Sequence, residues 1–469
     1  MTSAKEPFNV NEATIPVLDP ATGALLGTIQ AGGPVQADAA VAAARKAAEG
    51  WSRTPAAERA AHLREASARV RDHAEELAAL QTAENGKPLH MSRGDIAAAA
   101  GTLAQYAELG PLHRGRSLVG SWDATDLMVA EPYGVAACLV PWNDPVTIAC
   151  GMLGATVVTG NTAVYKPSER SPLSAVRLVE LLDLPPGVVE LLHGDGRAGA
   201  ALVEHPDVDL VLHTGSVATG RAIAVACARQ DRKAILELGG KDPLIVDADV
   251  DPVWAAQQAA AGAFANAGQI CTAVERIYVH AEVAEAFVSA LVAEAEAIVV
   301  GDGRNPGTQM GPLVDDRQRE IVHRHVREAV DTGARLLTGG LVPDGPGSFY
   351  PPTVLVDVDD SMAVMREETF GPVAPVKVVD SFDAALAEAN SGDYGLAASV
   401  LTGSQQHAQR AWRELRVGTV KVNDVWGGAP GGSAEPRKAS GRGFGYGPEL
   451  LDEVTVVKVV HLAPAPSAS

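Results

Sequence analysis

From Gly134 onward the chain alternates short apolar strands with helices, and this alternation constrains its fold more than any other feature. Gly134–Val140 reads as a buried strand, apolar and partly β-branched. Thr156-Val157-Val158 leads through a Gly160-Asn161 turn into a strand at Thr162–Tyr165. A helix follows at Ser171–Leu182, a Pro185-Pro186-Gly187 turn, a strand at Val188–Leu192, a helix at Gly196–Val203, a strand at Leu210–His213 and a helix at Val217–Arg229. Strands separated by helices cannot pair as hairpins. They pair in parallel, with helices covering the sheet. A second alternating set starts near Asp242 and runs to about Gly418, so two α/β domains are expected. A length of 469 residues is too great for one simple core and agrees with this division.

The rest of the chain has a different texture. Leu18-Asp19-Pro20-Ala21-Thr22-Gly23 is a turn between two short strands, and Pro34 to about Gly110 reads as helices rich in Ala, Leu, Glu and Arg. Ser117–Glu131 and Thr455–His461 read as strands outside both alternating sets, and Ala463–Ser469 as disordered. Aromatics make up only 4% of the chain, whereas Ala and Gly are abundant, which lets helices sit close on sheets.

A net charge of −20 repels a phosphate backbone and argues against nucleic acid as a partner. It leaves room for an anionic cofactor, because backbone N–H groups at a helix start bind phosphate inside an acidic protein. The four cysteines, Cys138, Cys150, Cys227 and Cys271, form no CxxC pair and are too sparse for a disulfide scaffold. Met1–Pro7 has no apolar run, and Gly134–Val140 is too short to span a bilayer. A cytoplasmic location without a membrane partner is therefore expected. His323 and His325 share an Arg-rich helical stretch two residues apart, where side chains do not face each other; they read as a solvated face rather than metal ligands.

Three runs carry chemistry. Asn266-Ala267-Gly268-Gln269-Ile270-Cys271-Thr272 offers a thiol, Glu237-Leu238-Gly239-Gly240-Lys241 a carboxylate, and Pro141-Trp142-Asn143 an amide. Alone, each has an ordinary reading as an inert buried cysteine, a loop glutamate or a turn asparagine. Taken together, they are the groups needed to attack an aldehyde, stabilise the oxyanion and hydrolyse a thioester.

In this order, with matches between them, the runs resemble the aldehyde dehydrogenase superfamily, in its NAD(P)-dependent, non-phosphorylating, hydrolytic form. The resemblance extends from Asp19-Pro20-Ala21-Thr22-Gly23 to the terminal strand. It implies an α/β fold of two doubly wound domains with a bridging strand arm. Residues 1–116 and 132–238 would form the dinucleotide-binding domain, 239–440 the catalytic domain, and 117–131 with 445–469 the oligomerisation arm of a homodimer or homotetramer. It further implies that Cys271 is the nucleophile, Glu237 the base that activates water, and Asn143 an oxyanion donor beside the Cys271 N–H. The presence of Glu237 favours hydrolysis over transfer to coenzyme A.

The resemblance also assigns a cofactor site. Lys166 and Glu169, in Lys166-Pro167-Ser168-Glu169, would reach the adenosine ribose. A carboxylate there accepts from two hydroxyls and repels a 2′-phosphate, which implies NAD over NADP, while Arg170 next door pulls the other way. Gly215 and Ser216, in His213-Thr214-Gly215-Ser216, would receive the pyrophosphate at a helix start. In Glu367-Glu368-Thr369-Phe370-Gly371-Pro372, Glu368 would hold the nicotinamide ribose and Phe370 pack by the nicotinamide. Trp142 and Leu238 complete the set.

Departures from the family cluster around the substrate. Asp144 follows Asn143 where an aromatic is usual, and Ala265 holds a position that is often aromatic, or Arg in succinate-semialdehyde enzymes. Ser433-Ala434-Glu435-Pro436-Arg437-Lys438 replaces the usual Pro-Phe-Gly-Gly-x-Lys, and Gly445 stands where many members carry a second Glu. Asp144, Ala265 and Ala434 would then line an open, polar pocket, with Asp144 suited to a cationic or hydroxylated aldehyde. A cysteine hydrolase, an acyl-transferring dehydrogenase and a non-enzymatic role are the rival readings.

Overall fold

The computed structural model describes residues 14–428 and 432–465; residues 1–13 of the expected first domain and 466–469 of the expected disordered tail lie outside the described residues. Strand Val135–Val140 is buried along its whole length. Its side chains alternate: Val135, Ala137 and Leu139 enter one hydrophobic cluster, and Ala136, Cys138 and Val140 another. Helices Pro34–Arg53, Gly196–Glu204 and Val217–Ala228 supply the first cluster. Helices Ala56–Asp72, Leu89–Leu109, Pro145–Val158 and Leu173–Leu182 supply the second. Thr156-Val157-Val158 closes one of these helices. The sheet is thus covered on both faces, as a parallel sheet must be.

This first sheet runs in the order Gly441–Arg442, Lys233–Leu238, Leu210–Gly215, Val135–Val140, Thr162–Pro167, Val189–Leu191. All neighbours are parallel except the short Gly441–Arg442 edge. From Val135–Val140 the chain moves outward through two strands, then returns to build the other side from Leu210. The strand order therefore reverses between Val135–Val140 and Leu210–Gly215.

The second sheet has seven strands, in the order Arg335–Thr338, Thr353–Val356, Val373–Val379, Val274–His280, Asp242–Val246, Ala397–Leu401, Thr419–Val422. Only Arg335–Thr338 is antiparallel. A separate cluster containing Leu244, Ile277, Phe287, Val354 and Val400 forms its core. The fold is mixed α/β with two parallel sheets. Gly239-Gly240-Lys241 alone joins the last long strand of the first sheet to Asp242–Val246 of the second.

Strands Arg116–Leu118, Thr125–Pro132 and Thr455–Leu462 pair antiparallel into a third sheet. The stretch before Thr455 belongs elsewhere. Leu450, Leu451 and Val454 are buried in the core of the first sheet, so the projecting strand starts ten residues later than 445. Their apolar side chains gain more from that core than from an exposed arm. Among the described residues, no helix is long and apolar enough to cross a membrane.

Asn161 locks this C-terminal stretch down. It is fully buried; its Oδ1 accepts from Gly134 N at 2.9 Å, and its Nδ2 donates to Val454 O at 2.9 Å and Thr159 Oγ1 at 3.0 Å. Asn161→Ala leaves a buried N–H and a buried carbonyl unpaired, at a cost of about 2–3 kcal/mol. A drop of several degrees in the thermal midpoint is expected, with the C-terminal stretch becoming protease-sensitive first. An unchanged midpoint would show that the lock is dispensable.

Candidate active site

The reversal of strand order opens a crevice at the carboxyl ends of the first sheet, where ligands bind in open α/β folds. Four of its strands deliver residues singled out above. Val135–Val140 ends at Pro141-Trp142-Asn143-Asp144, and Thr162–Pro167 carries Lys166 with Glu169 just beyond. Leu210–Gly215 ends at Gly215-Ser216, and Lys233–Leu238 carries Glu237 and Leu238. The second sheet meets this crevice with its amino ends: Cys271 precedes Val274–His280, and Glu368 and Phe370 precede Val373–Val379.

The loop that carries Cys271 is backbone-strained and side-chain-pinned. After helix Pro252–Phe264, residues Asn266, Ala267 and Gly268 all take positive φ, at 50°, 55° and 70°. A Cβ on Gly268 would lie 2.2 Å from Gly371 O, so no larger residue fits. Gln269, fully buried, donates to Asn266 O at 3.0 Å and Pro312 O at 3.4 Å, and accepts from Val314 N at 2.9 Å. Cys271 emerges partly exposed, whereas Cys138, Cys150 and Cys227 are buried.

Gly239 and Gly240 thread between the two sheets. A Cβ on Gly240 would sit 2.8 Å from Cys271 O, and one on Gly239 would sit 2.2 Å from Glu368 Oε2. Glu368 Oε1 accepts from Gly240 N at 3.0 Å. Burial and nearby Glu275 raise Glu368 to about 8. Next in sequence, the buried Lys241 Nζ lies 2.5 Å from Glu275 Oε2. The Glu275 carboxylate also accepts from Thr369 N at 2.8 Å and Phe370 N at 2.7 Å, which holds Phe370 at a φ of 51°. The Phe370 ring meets Trp142 edge-on at 5.4 Å. Arg170 sits over the Trp142 ring at 5.5 Å and pairs with Asp315 at 2.8 Å, so its charge is already engaged.

Glu237 packs against Gly445, where a Cβ would come within 2.4 Å of its Cγ and Cδ. The missing side chain at 445 is what makes room for it. Burial raises Glu237 to about 7. Burial also pushes the Cys271 thiol far up, and Glu237, Asp144, Asp242 and Glu368 push it the same way. Asn143 is 4% exposed, and its side-chain amide has no hydrogen-bond partner among the described residues.

Lys166 and Ser216 both sit beside unspent N–H donors. Lys166 is buried and spends one N–H on Pro167 O at 2.9 Å, leaving two; burial lowers its pKa, and Glu169 and Asp195 oppose that. Ser216 caps helix Val217–Ala228, accepting from Thr219 N at 3.3 Å, and leaves the other first-turn N–H groups open. Leu238 is buried beneath Gly220 of the same helix, where a Cβ would lie 2.3 Å from its Cδ2. These features fit a dinucleotide.

Ala265 lines a cavity of about 440 Å³ with Met91, Phe264, Met310 and Trp426, and neither Asp144 nor Ala434 is among its walls. Ala434 is half-buried. Asp144 turns its carboxylate to the buried ammonium of Lys87, which removes most of its value for recognising a cation. A separate cavity of about 780 Å³ lies between helices Phe382–Ser391 and Gln405–Glu414, lined by Asp383, Arg410 and Arg416 rather than by any of these residues. His325, expected on a solvated face, is buried and bonds Thr369 Oγ1 at 3.2 Å, because a two-residue step carries it around the helix to the inner side. Among the described residues, no cluster of His, Cys, Asp or Glu is placed to hold a metal ion.

Sequence reading missed Glu84-Asn85-Gly86-Lys87. Glu84, Asn85 and Lys87 are buried polar side chains. Glu84 accepts from Leu173 N at 2.7 Å and Ser174 N at 3.1 Å, so it caps a helix distant in sequence. The available signal was a Gly-Lys-Pro break between two helices with charged residues at its edge.

The sequence pattern of the aldehyde dehydrogenase family matches residues 8–460. The chain belongs to the aldehyde dehydrogenase family. It is 39% identical to a betaine aldehyde dehydrogenase of Cereibacter sphaeroides, over 97% of this chain and 95% of that one. A betaine aldehyde dehydrogenase of Staphylococcus aureus, solved in complex with NAD+, superposes with a TM-score of 0.95 at 33% identity, covering 98% of this chain and 93% of the other. Lactaldehyde dehydrogenase of Escherichia coli gives 0.94 at 35%, covering 97% and 96%. Like its relatives, this aldehyde dehydrogenase is an oxidoreductase, and the family reaction is oxidation of an aldehyde to its carboxylic acid.

The carboxylates around Cys271 make a reactivity prediction for this aldehyde dehydrogenase. Without cofactor, Cys271 should alkylate with iodoacetamide more slowly at pH 7.5 than an unperturbed thiol, because little of it is thiolate. Glu237→Gln removes one like charge and should speed alkylation severalfold. Mass spectrometry of the labelled peptide measures both rates, and faster-than-ordinary labelling of the unaltered protein would contradict this electrostatic picture.

Proposed function

We propose that the Cys271 sulfur attacks the aldehyde carbon and that the thiol proton leaves to a neighbouring base. The tetrahedral oxyanion lies between the Asn143 side-chain N–H and the Cys271 backbone N–H. Loss of hydride leaves a thioester on Cys271. Glu237 takes a proton from water as it adds to the thioester, and the carboxylic acid departs. The Gly239-Gly240 crossing beside Cys271 and Glu368 carries this reading, because it brings the nucleophile loop, the base strand and Glu368 to one point.

The cofactor in this reading is NAD. When bound, it accepts the hydride. Lys166 and Glu169 take its adenosine ribose, the Gly215-Ser216 helix start its pyrophosphate and Glu368 its nicotinamide ribose. Phe370 and Trp142 flank the nicotinamide, and Leu238 closes the floor. Glu169 disfavours a 2′-phosphate, and Arg170, held by Asp315 and Trp142, is not free to attract one.

The substrate is a small polar aldehyde. Ala265 and Ala434 are short, and relatives are named for betaine aldehyde and lactaldehyde. With Asp144 paired to Lys87, a positive charge on the substrate gains little from that residue. NADH formation across aliphatic, aromatic, amino- and hydroxy-aldehydes, with NAD and NADP side by side, tests both choices; a preference for long alkyl or anionic aldehydes would refute the substrate class.

Glu237 gives the mechanism a pH signature. As a base it works only when deprotonated, so deacylation should climb through about pH 7 and level off above it. Glu237→Gln should retain a first-turnover burst of NADH, slow steady-state turnover by about 10²–10⁴-fold and remove this pH limb. Cys271→Ala should abolish turnover with NAD binding intact. Full turnover in Glu237→Gln would remove Glu237 from the base role.

In the same reading the protein is cytoplasmic, and its arm pairs copies into a homodimer or homotetramer. Val456, Val457, Val459 and Leu462 are exposed on its terminal strand, and Val119 and Trp122 beside it, an apolar edge that a second copy would cover. Light scattering should report more than one copy, and Val457→Lys with Val459→Lys should shift it towards monomer. A monomer from the unaltered chain would overturn this assignment.

A further inference from the structure

The turn between helices Ala74–Asn85 and Leu89–Leu109 is in neither sheet, yet it touches three consecutive residues of the loop that carries Asn143. Asn85 is 2% exposed, and its Nδ2 donates to Trp142 O at 3.2 Å and to Asn143 O at 3.3 Å. Its Oδ1 accepts from Lys87 N at 3.0 Å, which fixes the direction of the amide. Lys87, 1% exposed, bonds the Asp144 carboxylate and lies 2.5 Å from Asp95 Oδ2. Asp95 also accepts from Gln81 Nε2 at 2.7 Å, and its carbonyl takes the Thr147 hydroxyl at 3.0 Å.

We propose that Asn85 and Lys87 are positioning residues of the oxidation reaction, holding the Asn143 amide where the oxyanion forms and fixing it relative to Cys271. The proposal rests on the reading of Asn143 as oxyanion donor. Holding the carbonyls of residues 142 and 143 fixes the two peptide planes that flank the Asn143 Cα. Those planes set the direction of its Cα–Cβ bond and hence where its amide starts. Lys87 fixes the next residue, Asp144, at the entry to helix Pro145–Val158. The Asn143 side chain has no partner of its own among the described residues, so its placement depends on the backbone beneath it.

The same turn reaches the nucleophile. Gly86 takes a φ of 80° and packs so closely that a Cβ would lie 2.7 Å from Pro312 Cγ. Pro312 O accepts from Gln269 Nε2 at 3.4 Å, two residues before Cys271. One turn therefore bears on the loops of both the donor and the thiol. Preorganised donors contribute most when their position is fixed before charge develops.

Asn85→Asp isolates the effect, because it keeps the acceptor for Lys87 N and removes the donor to the two carbonyls. It should slow the single-turnover burst of NADH by about 10- to 100-fold. NAD affinity, read by fluorescence quenching, should stay within about twofold, since of the residues assigned to the cofactor the substitution meets only the Trp142 carbonyl and no side chain. In an Asn143→Ala background the same substitution should change the burst by less than about twofold, because there is no amide left to position. Asn85→Ala, which buries no charge, repeats the test should the aspartate unfold the turn. An unchanged burst in folded Asn85→Ala, or an equal loss in both backgrounds, overturns the proposal while leaving the Asn143 assignment intact. A normal burst from Asn143→Ala alone overturns the oxyanion assignment, and the proposal with it.

Discussion

Three residues, Gly239-Gly240-Lys241, set the geometry on which the rest of the structure depends. They are the whole link between Lys233–Leu238 of the first sheet and Asp242–Val246 of the second, so the carboxyl end of one strand must lie beside the amino end of the other. The two glycines let backbone pass where side chains could not, against Cys271 on one side and Glu368 on the other. Lys241 then anchors the crossing through Glu275, whose carboxylate also collects the amides of Thr369 and Phe370. A buried ion pair of this kind contributes little net stability, since desolvation offsets much of the attraction. Its effect here is positional: three segments distant in sequence are held to one point.

The cost of that convergence is electrostatic. Glu237, Glu368, Asp144 and Asp242 crowd one thiol, and all raise its pKa. Glu237 and Glu368 are themselves displaced upward by burial, to about 7 and about 8. A carboxyl group near 7 exchanges protons readily at physiological pH, which suits the base role proposed for Glu237. The same environment pushes the Cys271 thiol upward, against formation of the thiolate.

Much of this was legible beforehand. The alternation from Gly134 gave two parallel sheets, because a helix between two strands leaves no other pairing. Glu237 and Cys271 stood out because glycines flank them in strings that match a family pattern. The pocket was less legible. Asp144 read as an open carboxylate, and only the fold brings Lys87 to it from a turn 57 residues earlier. Asn85 carried no mark in the sequence, since an asparagine before a glycine reads as an ordinary turn. The segment 445–454 read with the arm, but its leucines are drawn into the core of the first sheet.

The sequence by itself determined the family and much of the order of strands and helices, and it singled out the groups proposed to react, because local periodicity and short strings encode them. The tertiary structure alone decided which charges cancel, which amides are left unpaired and which backbone atoms approach within 3 Å. Those quantities depend on distances between segments that share no local pattern. Ion pairing, burial and steric exclusion change over a few ångströms, so they follow only once the two sheets have met.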